Sequence, residues 1–273
     1  MRRQELLMLD SALGTSPLRL GTTSYILPAD ILPNVEFLAP LVDDVELVLF
    51  ESDEISNLPS AETVRALRRL AWDQRLSYTV HLPMDAHLGA PDEPRRRAAV
   101  GKCLRVIDRT APLDPFAWVV HFHHDDYKSG IPAHTVPAWR DALRRSMREL
   151  LDQGLPARGF CVETLSYPFD LVADLVEELD LSICLDVGHL VLYGFDVAAA
   201  IQRFWPRTRV IHLHGVRAGK DHTSISHLDP AIPRMLLSAA QADPRTVRVL
   251  TLEVFSEPEL RSSLAVLERL GQS

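Results

Sequence analysis

Eight short apolar runs, each followed by an amphipathic stretch, constrain this chain more than any other feature. They are LRLGTTSY (18–25), VELVLFE (45–51), SYTVHLP (77–83), FAWVVHFH (116–123), GFCVETL (159–165), LSICLDV (181–187), RVIHLHG (209–215) and VRVLTLEVF (247–255). Nearly continuous, β-branched runs of this length suit parallel strands covered on both faces. Helix-period segments follow near 60–75, 94–110, 135–153, 168–180, 196–205, 230–242 and 257–270. In AETVRALRRLAWD, for instance, Val64, Leu67 and Leu70–Ala71 form one stripe. The first connection, ILPNVEFLAPL, is short and broken by proline, so its helix is the least defined. Eight strands alternating with helices over 273 residues predict an α/β fold, a single (β/α)8 TIM barrel spanning 18–273 after a short N-terminal extension over 1–17. An open doubly wound sheet is the alternative, but no GxGxxG follows the first strand and the count of eight favours closure.

Charge and cysteine content narrow the partners. Twenty-nine basic against 37 acidic side chains leave a net charge of −8, which argues against duplex nucleic acid. Bound metal would weaken that inference, because a formal charge ignores bound cations. No run approaches the roughly 18–20 apolar residues of a membrane helix. The N-terminal apolar run is interrupted by Asp10, unlike a signal peptide. Cys103, Cys161 and Cys184 form no CxxC, and the last two lie in strand-like runs, as buried reduced thiols do. A cytoplasmic location is expected.

Function in such a barrel sits at the C-terminal strand ends, and here almost every strand ends in a residue able to ligate a metal. Strand 2 ends in Glu51, strand 3 carries His81, and strand 4 carries His121 followed by His123. Strand 5 gives Glu163, strand 6 gives Asp186 with His189 three residues later, and strand 7 gives His212 and His214. The next loop holds Asp221 and His222, and strand 8 ends in Glu253. A lone histidine at a strand end is ordinarily structural. A convergent set of buried carboxylates requires pairing or a metal. Carboxylates and imidazoles without thiolates suit Zn²⁺, Mn²⁺ or Fe²⁺. Strand alternation sends His212 and His214 to one face, inward if Ile211 and Leu213 face the helices. His87, His124 and His134 are expected in solvent, Trp118 and Trp139 in the core, and Tyr25 and Tyr193 near substrate.

These residues resemble the xylose-isomerase-like TIM barrels, which include apurinic-site endonuclease IV and the ketose epimerases. The marks are the histidines of YTVHLP and VVHFH, the Glu of CVETL, the DxxH of LDVGHL, the His of VIHLHG and the Glu of LTLEVF, all in order. The epimerase pattern implies one metal on Glu163, Asp186, His212 and Glu253. The endonuclease-like pattern adds His81 and His121 for a second ion, and His189 with a later Asp and His for a third. Asp221 and His222 are adjacent here, where that pattern spaces the pair by one residue, and His227 is an alternative to His222. GTTSYILPADILPNVEFLAPLVDDVELVLFE, CLDVGHLVLYG and IHLHGVRAGKDHTS are similar to the cobamide-remodelling phosphodiesterases in particular.

That resemblance implies hydrolysis of the nucleotide-loop phosphodiester of a vitamin B12-type corrinoid, giving cobinamide phosphate and a base-riboside. Two or three divalent ions, zinc or manganese, are the implied cofactors. On this reading Glu163 bridges two ions and water activated by them attacks phosphorus in line. Arg217 and Lys220 add positive charge against the phosphate, and His123 and His214 support ligands or touch substrate. Glu51 acts as general base, orients water or binds substrate hydroxyls. The rivals are a single-metal sugar isomerase or epimerase using Glu163 and Glu253 for proton transfer, an apurinic-site endonuclease with basic loops near Arg95–Arg97, and a non-catalytic corrinoid-binding barrel.

Overall fold

The computed structural model describes residues 18–52, 54–126 and 130–271; the expected extension over 1–17 lies outside them. Eight parallel strands close on themselves: β1 (Leu18–Thr23), β2 (Asp44–Val48), β3 (Ser77–His81), β4 (Ala117–Val120), β5 (Phe160–Glu163), β6 (Ser182–Asp186), β7 (Thr208–Leu213) and β10 (Arg248–Leu252). Pairing of β1 with β10, Thr22 opposite Leu252, completes the ring. The chain therefore forms a (β/α)8 TIM barrel. Each strand stops two or more residues short of its expected C-terminal end except β6, which ends one residue early where a helix begins at Val187. A two-stranded hairpin, β8 (Gly215–Arg217) with β9 (Lys220–Thr223), stands outside the ring. Its turn residues Ala218 and Gly219 both have positive φ, the conformation that suits a tight hairpin.

The helices are α1 (Ile31–Leu38), α2 (Ala61–Gln74), α3 (Glu93–Thr110), α4 (Val136–Leu151), α5 (Ala173–Glu178), α6 (Val187–Leu192), α7 (Val197–Phe204), α8 (Ala231–Ala242) and α9 (Glu257–Gly271). Their starts follow local chemistry. Ser60 and Asp92 cap α2 and α3 by accepting the amides of Thr63 and Arg95. The short α1 forms despite Pro33 because the proline falls in its first turn. Buried Asn34 then ties down the preceding loop, accepting from the amides of Ile26 and Leu27 and donating to the carbonyls of Leu27, Ala29 and Asp30.

The barrel interior is unequally filled. Ala117, Val119, Cys161, Cys184 and Val210 pack together on the β4–β7 side. On the β10–β3 side stand Thr251, Thr23, Asp44, Glu46 and Thr79, all buried. Burial pushes the Asp44 carboxyl up to about 6, against the bond donated by Ser77. Because the folded pKa lies above the unfolded value, this group's contribution is complete below about pH 4 and is lost as pH rises through about 6. Asp44→Asn is expected to gain about 2–3 kcal/mol over the parent at pH 7.5, a gap that closes near pH 4. Urea unfolding at the two pH values measures it.

Candidate metal centre

The C-terminal ends of the strands gather a buried cluster whose centre is Glu163. Its Oε2 lies 2.8 Å from His121 Nε2, 3.3 Å from His81 Nε2 and 3.7 Å from His212 Nδ1. Its other oxygen lies 3.3 Å from His189 Nδ1. Opposite, Glu253 Oε2 stands 3.2 Å from His212 Nδ1, 3.4 Å from His222 Nε2 and 3.8 Å from His214 Nε2. Asp186 lies between, with Oδ2 3.0 Å from His189 Nδ1 and Oδ1 3.2 Å from His214 Nε2. Strand alternation explains the convergence: Asp186 is the register partner of His212, and His212 of Thr251, two residues before Glu253.

Local bonds fix which atom each ring presents. His81 Nδ1 donates to the Leu82 carbonyl at 2.8 Å, leaving Nε2 toward Glu163. His121 Nδ1 meets His123 Nε2 at 3.1 Å, leaving its own Nε2 toward the same carboxylate. Asp186 caps α6 by accepting the His189 amide at 2.7 Å, so one residue shapes the helix start and faces the cluster. The His222 amide donates to His214 Nδ1 at 3.0 Å, and the two rings stack with centroids 4.3 Å apart. His222 reaches this position through a left-handed backbone, φ 52°, a strained conformation for a side-chain-bearing residue.

Ligand-type atoms fall into several groups, including His81–His121–Glu163, Glu163–Asp186–His189 and His189–His214–His222, with atoms in each within 4.8 Å of one another. The donor atoms fit cations. Asp186 Oδ2, His212 Nδ1 and Glu253 Oε2 are buried without a hydrogen-bond partner, a costly state that a shared ion relieves. Cys184 also approaches His212 and Glu163, and burial drives its thiol well above the usual range.

Without an ion the cluster holds protons instead. Burial disfavours a charged ring, yet Asp186 and Glu163 raise His189 to about 10, and Glu253 and Asp221 raise His222 to about 9. Burial likewise opposes charge on Glu163 and Glu253, but the neighbouring imidazoles hold both well below the carboxylate range. A metal must displace those imidazole protons. Affinity for zinc is therefore expected to climb with pH between about 6 and 8.5, by up to about a decade per unit for each proton released. Chelator competition at several pH values measures the slope, and a flat profile contradicts it.

Several expected site residues stand elsewhere. Glu51 does not join the cluster: it lies beyond the end of β2, accepting from Ser56 at 2.6 Å and Arg105 at 2.7 Å. Asp221 sits behind His222, 3.1 Å from Nδ1, on the side away from Glu253. The exposed His227 bonds Thr223 and falls outside the groups above. His124 is buried against Trp139, not in solvent, because its two nitrogens bond Thr135 and the Asp126 amide. His123 is largely buried, and burial pushes it down to about 3, a neutral ring beside His121. Arg217 and Lys220 are exposed at the hairpin tip, and Tyr25 and Tyr193 are exposed near the mouth. Sequence reasoning missed Glu46, whose Oε2 lies 2.9 Å from His212 Nε2. The available signal was a carboxylate in the middle of an apolar run, which cannot sit there unpartnered.

A closed parallel barrel carrying histidines and carboxylates at its C-terminal mouth defines a class of metal-site TIM barrels. Residues 42–268 match the family model for the xylose isomerase-like TIM barrel, and the chain belongs to that family. A D-tagatose 3-epimerase-like protein superposes with TM-score 0.71 at 17% identity, over 93% of this chain and 96% of that one. Endonuclease IV from Thermus thermophilus gives 0.66 at 21%, over 92% and 99%. The 3-keto-D-glucoside 4-epimerase from E. coli gives 0.68 at 15%, over 94% and 100%. At such identities the likeness speaks for the fold alone. No functionally curated protein matches in sequence. No described helix is long and apolar enough to cross a membrane.

Proposed function

We propose that this barrel is a metal-dependent phosphodiesterase that hydrolyses the nucleotide-loop phosphodiester of cobamides, releasing cobinamide phosphate and a base-riboside. The observation that carries the hydrolytic reading is the surplus of ligands. Glu163, Asp186, His212 and Glu253 suffice for one ion, yet His81 and His121 meet Glu163 on one flank, and His189 and His222 meet Asp186 and Glu253 on the other. Such a set suits two or three ions, zinc or manganese by donor type. Bound there, the ions would supply Lewis acidity toward the phosphoryl oxygens and lower the pKa of water.

The chain's own residues set the rest. Glu163 faces both flanks and is the bridging candidate, and Glu253 faces His212 and His222. His123 keeps His121 oriented. His214, wholly buried, supports Asp186 and His222 and does not face substrate. Arg217 and Lys220, on the hairpin that carries His222, are placed to meet an anionic ester. Asp221 orients His222.

The corrinoid substrate rests on the sequence resemblance, and the character of the mouth supports it. The exposed rings of Tyr193 and Phe255 flank the cluster, with centroids 5.9 Å from His189 and 5.0 Å from His222. Exposed aromatic faces beside the cluster suit a bulky ligand with broad apolar faces better than a small sugar. Duplex nucleic acid fits poorly, since Arg95 pairs with Asp125, and Arg96 and Arg97 pair with Glu93.

The test is to incubate metal-loaded protein with a complete cobamide and weigh the products by mass spectrometry. Cobinamide phosphate with a base-riboside is expected. Intact cobamide under both zinc and manganese contradicts the proposal, and epimerisation of a ketose by protein holding one ion would favour the single-metal sugar reading instead.

A further inference from the structure

We infer that Glu46 is a positioning residue that locks His212 in the tautomer able to bind metal through Nδ1, an inference that rests on the metal reading of the site. Both side chains are wholly buried, and Glu46 Oε2 lies 2.9 Å from His212 Nε2. A carboxylate accepts, so Nε2 carries the proton and donates. The lone pair of the neutral ring then falls on Nδ1. That atom has no hydrogen-bond partner and faces Glu253 at 3.2 Å, Glu163 at 3.7 Å and Asp186 at 3.8 Å. A ring held by an acceptor on one nitrogen while the other meets a cation is the arrangement by which proteins orient metal-binding histidines.

The surrounding wall is built for this role. Barrel interiors are ordinarily filled by branched apolar side chains. Around Glu46 they are replaced: Thr79 is its register partner on β3, Thr23 its partner on β1, and Thr251 is the partner of His212 on β10. Glu46 Oε1, Thr79 Oγ1 and Thr251 Oγ1 are buried with no protein partner, so this side of the barrel offers polar contacts where the β4–β7 side offers Ala, Val and Cys. Burying a carboxylate is costly unless it is hydrogen-bonded. The Glu46 carboxylate finds that hydrogen bond in the imidazole it orients.

The test compares the parent, Glu46→Gln and Glu46→Leu by zinc affinity in chelator competition, with thermal unfolding of each and long-range ¹H–¹⁵N spectra of the zinc-loaded parent. Leucine cannot accept the Nε2 proton, and its zinc affinity is expected to fall about 10–100-fold. Glutamine keeps a neutral acceptor and should recover most of that loss. The parent spectrum should show His212 protonated at Nε2. Two results overturn the inference alone: a zinc-binding parent with His212 protonated at Nδ1, or a folded Glu46→Leu variant that binds zinc as the parent does. A parent that binds no zinc overturns the metal reading, and this inference with it. Should the leucine variant fail to fold, the tautomer of His212 in the parent spectrum still decides.

Discussion

Glu163→Ala is expected to release metal from both flanks of the site and to reduce phosphodiester hydrolysis by about 10³-fold or more. The size follows from position. Glu163 is nearly inaccessible, one of its oxygens faces His81, His121 and His212, and the other faces His189. Alanine leaves those rings clustered around nothing. In the metal-free protein the imidazoles near Glu163 would also lose their counter-charge, and breaking such a buried pair costs about 3–5 kcal/mol. Metal analysis, turnover and thermal unfolding should therefore all move. Full activity in a folded Glu163→Ala variant would remove the carboxylate from the mechanism.

Gly188→Ala should be nearly as damaging although glycine offers no chemistry. A Cβ at Gly188 would stand 2.1 Å from His214 Cε1 and 2.3 Å from both ring nitrogens. His214 has nowhere to go. It is wholly buried, stacks on His222, accepts the His222 amide and approaches Asp186. Pushing the ring aside disturbs the hairpin that carries His222 and the carboxylate that caps α6. Overpacking alone costs about 1–3 kcal/mol, and the loss of zinc affinity should exceed what that destabilisation explains. A Gly188→Ala protein with unchanged zinc affinity would mean that α6 moves and the cluster does not.

The same glycine shows how much of the site was legible in advance. The sequence LDVGHL displays Asp186 and His189, and alternation across strands placed the ligand types at one mouth. The barrel was equally legible, because strands covered on both faces read as continuous apolar runs and helices as stripes. What the pattern could not give was depth along a strand. In VELVLFE the terminal Glu51 was the natural candidate, but β2 ends at Val48, and Arg105 and Ser56 hold Glu51 beyond it. Glu46, two residues before the strand's end, reaches the histidine instead. Asp221 and His222 were adjacent in a way that obscured their division of labour. The left-handed backbone at His222 brings its ring forward, while Asp221 remains behind it. Val187 reads as the last residue of a strand, yet it opens α6, because the Asp186 side chain caps a helix there. His124 looked solvated beside two aspartates, yet the packing of Trp139, remote in sequence, buries it.

The proposed phosphodiesterase requires a mouth that holds more than one ion, whereas the sugar-epimerase alternative requires one. Metal content per folded chain, measured by mass spectrometry after equilibration with zinc or manganese, tests this most directly. Two or three ions are expected in the parent, with the loss of at least one in Glu163→Ala. A parent that saturates at one ion, with His81 and His121 replaceable at no cost to binding, would contradict the multi-metal site.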